Sequence, residues 1–218
     1  MNEAGIGKEC LIGNLVISGG VDCLSEEDLN IVDHFVNNYD IKGITICDCC
    51  EVSEDAADLF GKILKKSISD MFSISIESDI LESSFVKEIV AALNPDSKLR
   101  RFGLAGASLS EEDLRAVIQK LSENCSKNLE DVSFTIDSLA AAEDLEKFIE
   151  NTKTIKKCFI NGSGDSVPND DVAEVDRRIN DMLVNRGIES LAIEGTPDGA
   201  VGDPALQLRQ SGSVLGGF

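Results

Sequence analysis

The 218-residue chain has one histidine, four prolines, half as many basic residues as acidic ones, and no apolar run near the ~18 residues that a membrane span needs. The first thirty residues also lack a basic start followed by an apolar stretch, so neither a secretory leader nor a membrane anchor is expected. The scarcity of histidine removes the commonest general base. His34 lies in the helical stretch DLNIVDHFVNNY beside Asp33, and that context predicts a partly exposed surface position in place of a catalytic dyad. The shortage of basic residues, 20 against 40 acidic ones, gives a net charge of −20 and a pI near 4.3. Such a surface repels phosphate backbones and anionic lipid, so neither nucleic acid nor a membrane is an expected partner.

Cysteine is present but in an odd number, seven, with Cys47, Cys49 and Cys50 bunched together, which fits free thiols in a reducing, cytosolic compartment better than a disulfide framework. The same cluster lacks the distant second pair of a structural zinc site. GIGK at 5–8 lacks phosphate-loop spacing, GSGDS at 162–166 lacks that of a nucleophile elbow, and DSVPNDD at 165–171 lacks that of a calcium loop. No metal, cofactor or small-molecule substrate is expected.

What is there is 42% apolar residues, enough for a sizeable core, arranged in a repeat. The pattern apolar-x-x-apolar-x-apolar recurs at Ile12/Leu15/Ile17, Ile41/Ile44/Ile46, Met71/Ile74/Ile76, Leu99/Phe102/Leu104, Leu129/Val132/Phe134, Ile155/Cys158/Ile160 and Ile188/Leu191/Ile193. Successive starts are 29, 30, 28, 30, 26 and 33 residues apart. Each hit alternates as a strand with one buried face does, and the first six are followed by apolar residues at helical spacing, such as Leu114, Val117, Ile118 and Leu121. LSEEDL occurs at 24–29 and 109–114, with a degraded copy, VSEDAADL, at 52–59. Ser25, Ser53 and Ser110 are expected helix caps, and the acids behind them suit the positive end of the helix dipole.

The fullest copy, LRRFGLAGASLSEEDLRAVIQKL at 99–121, resembles the leucine-rich repeat family in its longer, ribonuclease-inhibitor-like form, which also occurs in intracellular immune receptors and effectors of intracellular bacteria. Leu99, Phe102, Leu104 and Leu109 match the family's strand positions. The Asn or Cys that the family carries two residues before the fourth of these is Cys49 in the second unit, Ala107 here, and Gly20, Asp79, Asp137, Ser163 or Thr196 elsewhere. The resemblance covers about residues 10–195 and implies an α/β solenoid, a horseshoe of about seven strand-helix repeats with parallel strands on its concave face. Residues 1–10 then form an N-terminal segment, 11–195 the repeat domain, and 196–218 a Gly-rich tail expected to be mobile. A doubly wound sheet or an eight-unit barrel has similar spacing, but those strands read as continuous apolar runs, whereas ITI, SISI and VSF alternate.

On the concave face the intervening strand positions select Glu77, Arg101, Asp131, Lys157, Phe159 and Asn161 as partner-binding candidates. Phe159 is the large aromatic among them, beside a basic island of Lys153, Lys156 and Lys157. The expected function is a non-enzymatic protein-interaction scaffold, alone, as the sensor segment of a receptor, or as an effector in a host cytosol. Whole-chain charge favours a basic partner. The competing expectation is a GTPase-activating protein, since one branch of the resembled family has that activity, with Arg100 or Arg101 supplying positive charge to the transferring phosphoryl group.

Overall fold

The computed structural model describes residues 11–21, 24–49, 54–78, 81–136, 138–162 and 169–186. Every described residue belongs to one compact unit. The N-terminal segment 1–10, the seventh triplet, the tail and the Ser53 cap lie outside the described residues.

Alternating apolar triplets become strands and the 3.6-period segments become helices. The order is β1 (Leu11–Ile12), β2 (Leu15–Val21), α1 (Glu26–Asn38), β3 (Asp40–Ile41), β4 (Gly43–Cys49), α2 (Glu54–Ser67), β5 (Ser73–Ser78), α3 (Ser83–Ala92), β6 (Arg101–Leu109), α4 (Glu111–Asn124), β7 (Asp131–Ile136), α5 (Leu139–Asn151), β8 (Lys157–Gly162) and α6 (Asn169–Asn185). β1 pairs with β3, and the other six strands form one parallel sheet in the order β2-β4-β5-β6-β7-β8. The protein is therefore α/β. The order never reverses, so the sheet has no switch point of the doubly wound kind.

Register follows the sequence pattern. One apolar row runs Leu15, Ile44, Ile74, Phe102, Val132, Cys158, and the next runs Ile17, Ile46, Ile76, Leu104, Phe134, Ile160. Together with Ile41, Met71, Leu99, Leu129 and Ile155 these residues fill the layer beneath the helices and are buried except at the sheet edges, where Leu15, Ile17 and Ile160 are partly covered. Parallel crossovers are right-handed, and a strand order that always advances the same way puts every helix on one face of the sheet. Successive helices pack side by side, as Phe60 of α2 stacked on Phe85 of α3 illustrates, their ring centroids 5.0 Å apart.

Polar groups repeat the same spacing. The Phe72 amide donates to the Lys42 carbonyl at 2.7 Å, and in turn Arg100 N–H donates to Phe72, Glu130 to Arg100 and Lys156 to Glu130. Asn124 reaches back to the Leu93 carbonyl and Asn128 to that of Ser97, satisfying backbone acceptors that a turn would leave bare. At the helix starts Ser83 donates to the buried Asp113, and Ser138 to Glu111 at 3.0 Å, tying each unit to its neighbour. Among the described residues no helix is long and apolar enough to cross a membrane.

The caps expected at Ser25 and Ser110 form. Ser25 builds a capping box: its Oγ accepts from the Asp28 amide at 3.3 Å, while its own N–H and O–H donate to the Asp28 carboxylate at 2.9 and 2.7 Å. These donors, the Ser25 hydroxyl foremost, hold the Asp28 carboxyl below its ordinary value. A depressed folded-state pKa stabilises above the unfolded value and is lost as pH falls through the carboxylate range. Ser25→Ala is therefore expected to cost about 1 kcal/mol near neutral pH. In urea titrations the gap from wild type should narrow below about pH 4, and a gap independent of pH would refute the assignment.

Candidate interaction face

The strand face opposite the helices carries the residues between the apolar rows. Its first row is Gly43, Ser73, Arg101, Asp131 and Lys157, and its second is Val16, Thr45, Ser75, Gly103, Ser133 and Phe159. Further along, Glu77 stands beside Ala105, and Thr135 beside Asn161. Most of these are small. Small side chains let the backbones present a shallow surface on which the few large groups at its ends stand out.

Of the candidates read from sequence, the register makes Arg101, Asp131 and Lys157 direct neighbours across β6, β7 and β8, with Phe159 and Asn161 following Lys157 along β8. Arg101, Lys157 and Asn161 are exposed, Phe159 is 48% exposed, and Asp131 is half-buried. Glu77 is not part of this group. It is half-buried near the far end of β5, two strands from β7.

Asp131 lies in the fields of both cations. Burial raises its carboxyl above the ordinary value, and Lys157 and then Arg101 offset part of that rise. The carboxylate thus occupies the step between two positive groups without neutralising both.

The rim just before the strands holds residues that the strand pattern passes over. Phe72, 37% exposed, has Lys42 Nζ 5.9 Å and the Arg100 guanidinium 5.6 Å from its ring centroid, a cation–π arrangement on an aromatic that sequence reasoning did not select. The signal was available: Phe72, Arg100, Glu130 and Lys156 all follow the first apolar residue of their triplets. Ion pairs at the rim join Lys42 to Asp40 at 2.6 Å and Lys156 to Glu130 at 3.3 Å, and Arg100, Arg101 and Lys157 stand outside them. Lys153, the remaining member of the basic island, donates to the Glu150 carbonyl at 2.6 Å.

Groups elsewhere have structural partners. His34 is exposed on α1, its Nδ1 3.3 Å from the Asn38 amide, while Asp33 engages Asn37 and Lys66. Cys125 and Cys158 are buried free thiols, and desolvation raises both above the ordinary thiol value, so neither is a reactive thiolate. Cys47 is half-buried on the open face with its thiol 3.8 Å from the Ile17 carbonyl; the Cys49 side chain and Cys50 lie outside the described residues. Among the described residues no group of three or more His, Cys, Asp and Glu is placed to hold a metal ion. An open depression of about 450 Å³ between α5 and α6 is lined by Arg177, Arg178 and Arg186. Arg177 pairs within α6 with Glu174 and Asp181, while Arg178 pairs with Glu146 and Arg186 donates to the carbonyls at the end of α5, so the latter two tie α6 to α5.

No protein-family model matches the chain, and a search of curated proteins found none similar to it in sequence.

Proposed function

We propose that the chain is a non-enzymatic scaffold, a divergent solenoid of leucine-rich-repeat type, that docks another protein on the open face of its parallel sheet. The observation that carries the reading is the division of the sheet into two faces: two continuous apolar rows sealed beneath helices, and an opposite face of small side chains ending in Lys157 and the exposed Phe159. The unreversed strand order and units of about thirty residues support the repeat reading. Six strands at ~4.8 Å spacing and six residues at ~3.3 Å rise give a face on the order of 500 Å². A stable interface takes about 800 Å² per partner, so a partner seated here covers the rim as well as the strands.

The test is affinity capture from cytosolic extract with wild type and with a Phe159→Ala/Lys157→Glu double variant. Both positions are exposed, so the variant should melt with the wild type. Retained proteins are expected to bind it roughly 30-fold more weakly, the loss typical of an aromatic hot-spot anchor. The same set of proteins, held equally well by both, would remove the open face from the proposal.

A further inference from the structure

The acidic residues of this chain are not spread evenly. Glu26, Glu27 and Asp28 fill the first turn of α1, and Glu111, Glu112 and Asp113 that of α4, where the helix dipole accommodates them. Each of these turns follows the C-terminal end of a strand, β2 or β6. The opposite, N-terminal ends of the strands carry cations. Once the Lys42–Asp40, Lys98–Asp70 and Lys156–Glu130 pairs are set aside, Arg100, Arg101 and Lys157 remain there beside the carboxylate of Asp131. A six-residue strand separates the two ends by ~20 Å, whereas charge is screened over about 8 Å at physiological ionic strength. A ligand at the strand starts therefore meets a local excess of positive charge, despite the −20 of the whole chain.

We infer that this rim takes an acidic peptide segment of a partner protein, with carboxylates on Arg101 and Lys157 and an apolar side chain against Phe159. The inference rests on the docking function proposed above and names the chemistry of its partner. Arg101 and Lys157 are two strands apart, ~10 Å, the rise of about three residues of polyproline-II peptide, whose three-residue turn brings side chains i and i+3 to one face. Asp131 fills the step between them and repels a third carboxylate, so it selects for spaced acids over a continuous acidic run. Phe159 lies two residues beyond Lys157 on the same strand face and supplies the apolar contact. Arg100, held over the Phe72 ring, is restrained before any ligand arrives and loses less freedom on engaging one.

The test pans a random peptide display library on the full-length chain, with Arg101→Glu/Lys157→Glu, Phe159→Ala and, as a distant control, Glu26→Lys/Glu27→Lys. Wild type should enrich peptides with Asp or Glu three residues apart around an apolar residue. Their affinity should fall roughly 100-fold in the charge-reversed variant, about tenfold for each charge-assisted contact, should weaken with added salt, and should be unchanged in the control. Enrichment of neutral or basic peptides that still depends on Phe159 would overturn the acidic partner while leaving the docking face in place. No enrichment over Phe159→Ala would overturn both. A fluorescent oligothymidylate held by the same two cations more tightly than any selected peptide would replace the acidic segment with a phosphate backbone.

Discussion

Phe134→Ala is expected to cost about 3–5 kcal/mol, the usual range for removing a fully buried aromatic. Phe134 has no exposed surface, its ring lies 6.0 Å from that of Phe102 on the adjacent strand, and it occupies the apolar row that crosses the whole sheet. Domains are stable by about 5–15 kcal/mol, so this one change removes a large share. At roughly 2–4 °C per kcal/mol for a chain of this size, the melting temperature should drop by some 6–20 °C. Phe159→Ala is the internal contrast. Phe159 pairs across to Ser133, and Phe134 to Ile160, so the register sets the two phenylalanines on opposite faces of the sheet. The Phe159 variant should stay within about 0.5 kcal/mol of wild type. Comparable melting shifts for the two variants would mean that the assignment of faces is wrong.

Gly106→Ala should cost about 3 kcal/mol or more by urea denaturation. Gly106 has φ of +90°, and a Cβ there would sit 2.5 Å from the Ser78 carbonyl oxygen and 3.0 Å from its amide nitrogen. Both obstacles are backbone of the neighbouring strand, so relief requires β5 and β6 to part. A non-glycine residue in such a conformation costs about 1–3 kcal/mol before any clash is counted. Gly103→Ala, three residues earlier, meets Ser75 Oγ at 3.3 Å, Ser133 Cβ at 3.4 Å and the Ser133 carbonyl oxygen at 3.8 Å, and should be tolerated. If Gly106→Ala unfolded at the same urea concentration as Gly103→Ala, the tight approach of β5 and β6 at this point would be disproved.

These two residues also mark how far the sequence could be read. Phe134 was legible: its triplet, Leu129/Val132/Phe134, repeats a pattern set by local alternation, and each member is buried. The Ser25 and Ser110 caps were legible for the same reason, since a cap is decided within four residues. Gly106 was not legible, because its necessity comes from Ser78, 28 positions away, at a point where β6 continues to Leu109 and its pairing to β7 shifts register after Leu104. Ties between units were hidden likewise: Ser83 to Asp113 joins two sequence-distant helix starts, and neither residue announces the other.

Strand alternation assigned Glu77, Arg101, Asp131, Lys157, Phe159 and Asn161 to one face; the register makes the last five neighbours on β6, β7 and β8 and sets Glu77 apart on β5, because alternation assigns a face without saying how far along it a residue stands. It passed over Phe72, and over Arg100, which entered only through the GTPase-activating alternative, because both precede the first alternating position. Net charge was legible from composition and pointed to a basic partner. The distribution of that charge depends on which strand end each loop reaches, which composition does not encode.

The unreversed strand order has a consequence for how the molecule is made. Each interior strand of the main sheet is flanked by the preceding and the following strand of that same sheet, about thirty residues away, and none waits for a distant segment to complete its pairing. On the ribosome, where domains form from the N-terminal side at about 5–20 residues per second, every newly emerged strand meets a template already in position. The growing edge is then exposed for only a few seconds per step, which limits the time in which two nascent chains could zip together by mistake.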